Sequence, residues 1–118
     1  MKENIVKTKS YDFAKSIVKF YMHLKQENEF ELSKQLLRAG TSIGANVEEA
    51  DAGISKKEFA SKMSIASKEA RETQYWLRLI KDAEITNYPF EPLLEQANEL
   101  IRILTSIVKT TQSNFKSL

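Results

Sequence analysis

Residues 55–83 read SKKEFASKMSIASKEARETQYWLRLIKDA, and this stretch decides the fold. Ser55-Lys56-Lys57-Glu58 matches a capping box, in which a hydroxyl and a carboxylate satisfy each other's backbone amides at the start of a helix. Behind it Phe59, Met63, Ala66, Ala70, Thr73, Leu77 and Ile80 recur in steps of four and three. That period gathers apolar side chains on one face of an α-helix, and such a helix needs partners to cover the face.

The same rhythm runs outward in both directions. On the N-terminal side Val6, Phe13, Ile17, Phe20 and Leu24 form one stripe, with Asn4 or Ser10 as the N-cap. Leu36, Gly40, Ile43, Val47, Ala50 and Ile54 form a second, with Gly53 placed to stop the helix. On the C-terminal side Thr86, Asn87, Pro89 and Pro92 interrupt the pattern. Leu93, Ala97, Leu100, Leu104, Ile107 and Thr111 then form the last stripe, widened by Leu94, Ile101, Val108 and Phe115. The spacing predicts helices over roughly 4–27, 31–53, 56–83 and 89–115, within one domain spanning 1–118. Four amphipathic helices with short connections are buried most simply as an all-α, antiparallel up-and-down four-helix bundle.

Composition excludes much else. The chain has 118 residues, 42% hydrophobic and 29% charged, which suits one globular domain rather than a disordered or fibrous chain. Three Gly and two Pro leave little room for the turns of a many-stranded fold. With no Cys there is no disulfide framework or thiolate chemistry, and the cytoplasm is the expected compartment. Met1 to Ser10 is polar, unlike a signal peptide, and no stretch approaches the roughly 18 apolar residues of a membrane span.

Catalytic motifs are missing. His23 is the lone histidine, so the paired Glu-x-x-His motifs of di-iron bundles cannot be built. It lies between Lys19 and Glu27 on the polar side of the first helix and reads as a solvated surface histidine, not a base. Gly40 and Gly44 sit inside an apolar helical pattern, not in a phosphate loop. No enzyme activity, cofactor, metal or small-molecule substrate is expected.

Each of those glycines costs about 0.8 to 1 kcal/mol against Ala in a helix interior, so something must offset it. The run Ala39 to Ala45 is small nearly throughout, which suits close helix packing inside the bundle or close approach across a subunit interface. Beside it Arg38, Ser42, Asn46 and Glu49 share one helical face. They make either a solvated face or a partly buried network that fixes helix register.

The stretch Gln35-Leu36-Leu37-Arg38-Ala39-Gly40-Thr41-Ser42-Ile43-Gly44-Ala45-Asn46-Val47-Glu48-Glu49-Ala50 resembles the signature of a known family. Its members are small bacterial four-helix-bundle proteins encoded in intervening sequences of 23S rRNA genes, sometimes labelled ribosomal-like. Ala66-Ser67-Lys68-Glu69-Ala70-Arg71-Glu72-Thr73 resembles the family's second motif, without the Gly-Ser pair that many members carry there. The resemblance covers nearly the whole chain. It implies a four-helix bundle, a homopentameric ring and no enzyme activity. A related branch serves as accessory factor to reverse transcriptases of diversity-generating retroelements, where a basic barrel binds nucleic acid and the polymerase. As partners, the resemblance thus implies further copies of the chain, RNA or DNA, and a reverse transcriptase or other nucleic-acid enzyme.

Charge is distributed unevenly. The net charge is only +2, yet residues 1–27 hold six basic and three acidic groups, and residues 98–118 three basic and one acidic. In an up-and-down bundle the first and last helices are neighbours, so this excess, including Lys15 and Lys19, merges into one basic face. A second face lies on the third helix, where Lys57, Lys68, Arg71, Tyr75 and Arg78 share a row with Ser61 and Ser64. Cations around an exposed aromatic suit phosphate contact plus base stacking, although Glu69 and Glu72 flank the row and are placed to neutralise it. Ile65, Trp76 and Leu79 lie off the main stripe and suit oligomer contacts. Two classes follow. The first is a homo-oligomeric scaffold that binds nucleic acid or a nucleic-acid-processing protein through basic faces, and the second is an oligomer devoted to protein–protein interaction alone.

Overall fold

In the computed structural model the backbone is described for residues 3–116 and the side chains for residues 5–114. The chain forms α1 (Glu3–Gln26), α2 (Glu31–Asp51), α3 (Lys56–Asp82) and α4 (Glu91–Lys116). Each helix packs on its neighbours in sequence, α1 closes onto α4, and the diagonal pairs do not meet among the described residues. With connections of a few residues this is the antiparallel up-and-down bundle, 51 × 24 × 23 Å. The α1/α4 seam is the least intimate of the four, and α2/α3 the most.

The four predicted stripes supply the core. Phe13, Ile17, Phe20 and Leu24 of α1 and Leu36, Ile43 and Val47 of α2 are buried. So are Met63, Leu77 and Ile80 of α3, and Leu93, Leu100 and Leu104 of α4. Complete burial of one such side chain contributes about 1.5 to 3 kcal/mol, so the seams are held chiefly by shape and apolar area. Ile54 departs from its predicted place in the second stripe. It lies beyond the end of α2 and is 95% exposed. The side chain of Phe115 lies outside the described residues.

Helix ends show where local chemistry wins. Ser55 is the N-cap of α3 in extended backbone, and its Oγ accepts from the Glu58 amide at 3.0 Å. The Glu58 carboxylate reaches one residue further back than a strict capping box, accepting from the Ile54 amide at 3.2 Å. Gly53 does not act as a left-handed helix stop, since its φ is not positive. A Cβ there would lie 2.9 Å from Glu58 Oε1, so glycine makes room for the capping carboxylate. The left-handed C-terminal positions are instead Asn28 (φ 65°) and Glu84 (φ 55°). Behind each the chain closes with an amide bonded five residues back, Glu29 to Leu24 and Ile85 to Ile80, which is the Schellman pattern.

The proposed caps of α1 are corrected too. The helix already includes Asn4 and Ser10. Ser10 is buried, and its hydroxyl donates to the Lys7 carbonyl, so it is a packing residue. Phe30 precedes α2 with no capping side chain, and the Glu29 carboxylate accepts from the Leu32 and Ser33 amides instead. Pro89 stays outside α4, whose first turn holds Pro92, where a missing N–H is harmless.

The two interior glycines face α1 within the chain. A Cβ on Gly40 would lie 2.9 Å from Ile17 side-chain atoms, and one on Gly44 would lie 3.3 Å from the Ser10 carbonyl oxygen. The small run of α2 is thus an intramolecular seam, and the close α1–α2 approach offsets the helix cost of glycine.

Candidate nucleic-acid interface

Charged side chains line the seams of this bundle, and they are not paired evenly. Between α1 and α2, Lys7 bridges Glu48 at 3.6 Å and Asp51 at 3.1 Å. The Asp51 hydrogen bond and its charge push the Lys7 ammonium above the ordinary lysine value. Between α1 and α4, Lys9 meets Glu99 at 3.1 Å. Between α2 and α3, Lys62 meets Glu49 at 2.7 Å, and Arg38 meets both Glu69, at 3.3 Å, and Glu72.

The α3/α4 seam differs. Its cross-links among the described residues are neutral at one or both ends: Arg71 Nη2 donates to Thr105 Oγ1 at 2.9 Å, and Gln74 Nε2 to Asn98 Oδ1 at 3.1 Å. Arg71, Ile101, Arg102, Thr105, Ser106 and Lys109 line a groove of about 460 Å³ along it. Lys57, Ser61 and Ser64 line a second groove between these helices, nearer the α2–α3 connection.

The row predicted on α3 is exposed at every position. Lys57, Lys68, Arg71, Tyr75 and Arg78 are all exposed, away from the core stripe, and Arg71 reaches α4 through Thr105. Arg78 Nε donates to Gln74 Oε1 at 3.2 Å, and its guanidinium has no carboxylate within ion-pair distance among the described residues. Tyr75 is 48% exposed and meets the Trp76 ring edge-on at 5.1 Å, so one face of a base-sized aromatic surface is held at the row. Glu69 and Glu72, placed in the sequence to neutralise the row, turn the other way toward α2.

Sequence reasoning missed two cations on this surface, Arg102 and Lys109. Their signal was present, since Arg102, Thr105, Ser106 and Lys109 follow helical spacing on one face of α4. The face was assigned to the α1 side, whereas Arg102 reaches both seams and Lys109 lines the α3 side.

Lys15 and Lys19 are exposed on the outer face of α1, away from this groove. Lys15 lies 3.5 Å from Asp12 and over the Tyr11 ring, so part of its charge is already answered. On the α1/α4 seam, where the excess charge of the two helices is expected to merge, Lys9 is paired with Glu99 and Arg102 lies beside Ile5 and Val6.

The polar row of α2 divides its labour. Arg38 and Glu49 reach α3, while Ser42 donates to the Arg38 carbonyl at 2.7 Å and Asn46 to the Ser42 carbonyl at 2.8 Å. It is therefore a half-exposed seam with its two ends clamped. Of the residues suited to oligomer contacts, Ile65 is 37% exposed, and Trp76 and Leu79 are half-buried. Trp76 packs against the core and its Nε1 donates to Glu72 Oε2 at 3.0 Å.

His23 is not freely solvated. The α3–α4 connection crosses α1, which puts the Tyr88 ring 4.5 Å from the imidazole, and Glu27 Oε2 lies 3.1 Å from Nε2. Thr86 donates to Glu27 Oε1 at 2.6 Å and, with His23 nearby, holds this carboxyl below its ordinary value. No cluster of candidate metal ligands occurs among the described residues, and no helix there is long and apolar enough to cross a membrane.

Comparison with known proteins bears on the family. No curated protein matches the chain. A solved structure from Bacteroides thetaiotaomicron, described as a protein of unknown function from the S23 ribosomal protein family, is 47% identical. The match covers 92% of this chain and 99% of that one, with a TM-score of 0.86. The family model described as 23S rRNA-intervening sequence protein matches residues 2–106. With the signature in α2, the second motif in α3 and the bundle that joins them, the chain belongs to the family of 23S rRNA-intervening sequence proteins.

Proposed function

We propose that this chain is a non-enzymatic, homo-oligomeric helical scaffold that binds nucleic acid, or a nucleic-acid-processing protein, through its basic faces. The observation that carries the reading is the α3/α4 surface, where Lys57, Lys68, Arg71, Arg78, Arg102 and Lys109 meet no carboxylate within ion-pair distance among the described residues. Distributed cations without a base-reading motif bind phosphate by charge, and assembly of copies multiplies that field. Tyr75 adds a stacking surface for an unpaired base. The family's tie to intervening sequences of 23S rRNA points the same way. Pentameric order comes from the family resemblance, and a reverse transcriptase or related enzyme is the protein partner that resemblance suggests.

The test is fluorescence anisotropy with labelled RNA and DNA, single-stranded and duplex, across a salt series starting at about 50 mM. Affinity that falls steeply with salt and ignores sequence supports the reading. Light scattering on the same sample gives the assembly, and a mass of 13.6 kDa at micromolar concentration refutes the oligomer. A second reading, an oligomer devoted to protein contacts alone, is favoured by the exposed Ile5, Met22 and Ile65. It becomes the better one if an intact oligomer binds neither nucleic acid at low salt.

A further inference from the structure

We propose, building on the nucleic-acid reading above, that Arg38 is a positioning residue for the α3 row, which it keeps cationic by holding Glu69 and Glu72 against α2. Glu72 lies four residues after Lys68, the spacing at which opposite charges on a helix pair with each other. Left to its own helix, Glu72 would neutralise Lys68 and draw the row toward zero charge. In the structure it does not. Its carboxylate is taken by the Arg38 guanidinium and by Trp76 Nε1, the latter at 3.0 Å, while Glu69 receives Arg38 Nη1 at 3.3 Å.

The competition is uneven for geometric reasons. A guanidinium is a planar fork of five donors and can serve two carboxylates together, whereas a lysine ammonium is one flexible point charge. Lysine N-terminal to glutamate is also the weaker orientation of a helical pair. The side chain of Glu69 is 13% exposed and that of Glu72 32%, so both lie down along the α2/α3 seam and away from the outer row. Arg38 itself sits on the opposite border of that seam and is not part of the row. Its effect on binding is therefore indirect.

The experiment measures the salt dependence of binding to a labelled single-stranded oligouridine RNA, with the full chain. The variants are Arg38→Gln, Glu72→Gln and R38Q/E72Q, each checked for folding by circular dichroism. In R38Q the freed Glu72 neutralises Lys68, so one phosphate contact is lost and the slope of log affinity against log salt shrinks by about 0.7. In R38Q/E72Q the wild-type slope returns. E72Q alone leaves the slope unchanged, since Glu72 does not face the row in the wild type. This arm holds even if R38Q does not fold.

A slope that stays low in the double variant overturns the proposal, because Arg38 would then touch phosphate itself. An unchanged slope in R38Q, or a steeper one in E72Q, overturns it as well. If the wild type binds no RNA, the nucleic-acid reading fails separately, and the role of Arg38 is read from quenching of Trp76, the only tryptophan. Quenching by iodide relative to neutral acrylamide should fall in R38Q and recover in R38Q/E72Q. An equal ratio in all variants overturns the positioning role.

Discussion

The two edges of α3 are built from the same residue types and end with opposite electrical character. Toward α2, acids and bases pair across the seam: Glu69 and Glu72 with Arg38, and Glu49 with Lys62. Toward α4, arginine meets threonine and glutamine meets asparagine, so helix position is fixed by hydrogen bonds that consume no charge. A chain of net charge +2 thereby keeps one basic surface. Where the carboxylates are directed matters more here than how many cations the sequence holds.

The strongest way to break the contrast is to unseat α2, which supplies Arg38. Gly44→Leu should destabilise the bundle by about 1 to 3 kcal/mol through overpacking. The added side chain would run into Ser10, whose carbonyl oxygen lies 3.3 Å and whose Oγ lies 3.6 Å from the Cβ position. Thermal melting followed by circular dichroism measures it, and an unchanged melting temperature would falsify the tight α1–α2 contact. Gly40→Ala should also lower the melting temperature, since its Cβ would lie 2.9 Å from both γ carbons of Ile17, a fully buried, β-branched side chain with little room to move.

Next in size is the α4-facing edge itself. Arg71→Ala with Arg78→Ala should lower the salt slope of RNA binding by about 1.4 to 1.8 and weaken all sequences alike. Tyr75→Ala should weaken single strands by about 1 to 3 kcal/mol per stacked base and leave duplex binding nearly untouched. Equal losses on both substrates would remove the stacking role. If binding survives all three substitutions but fails when Lys15 and Lys19 are replaced, the site moves to α1.

A smaller effect sharpens the α2-facing edge. Lys62→Met should shift the melting temperature only slightly, because Lys62 and Glu49 are both substantially exposed and screened. The Glu49 hydrogen bond raises the Lys62 ammonium above its ordinary value. Its contribution is present below the unfolded lysine value of about 10.4 and is lost as pH rises through the folded one. Melting at neutral pH and near pH 11 should therefore differ less in K62M than in the wild type.

The smallest effect lies at the far end of the bundle. The Thr86 hydroxyl lowers the Glu27 carboxyl, so its contribution is present above about pH 4.3 and is lost as pH falls through the depressed value. Glu27→Gln should flatten the acid limb of the melting curve slightly. An acid limb identical to wild type would show that the Thr86 contact contributes nothing to stability.

Much of this was legible in the chain before its fold. Periodicity placed each helix within a few residues, because apolar stripes of period 3.6 have only one economical burial. Ser55 and Glu58 marked the start of α3 because capping is local chemistry. The ends at Asn28 and Glu84 were less visible, since a left-handed asparagine or glutamate is chosen by the closing hydrogen bonds and not by composition. On the candidate surface, the α3 row was visible as helical spacing. The direction taken by Glu69 and Glu72 was not, because it depends on Arg38 arriving from another helix. Lys109 was missed for the same reason, as its neighbour is decided by topology.

The uneven seams also give the bundle a direction of opening. α1 and α4 touch least, while α2 and α3 form the most intimate pair, so the molecule is a strip closed on itself, with a spine along α2/α3 and its weakest margin along the α1/α4 seam. Local fluctuations in such a strip begin where burial is thinnest. Amide protons along the middle of α2 and α3 should outlast those of α1 and α4 in hydrogen exchange, and the basic groove, which borders the spine on one side and a margin on the other, can breathe without the core coming apart.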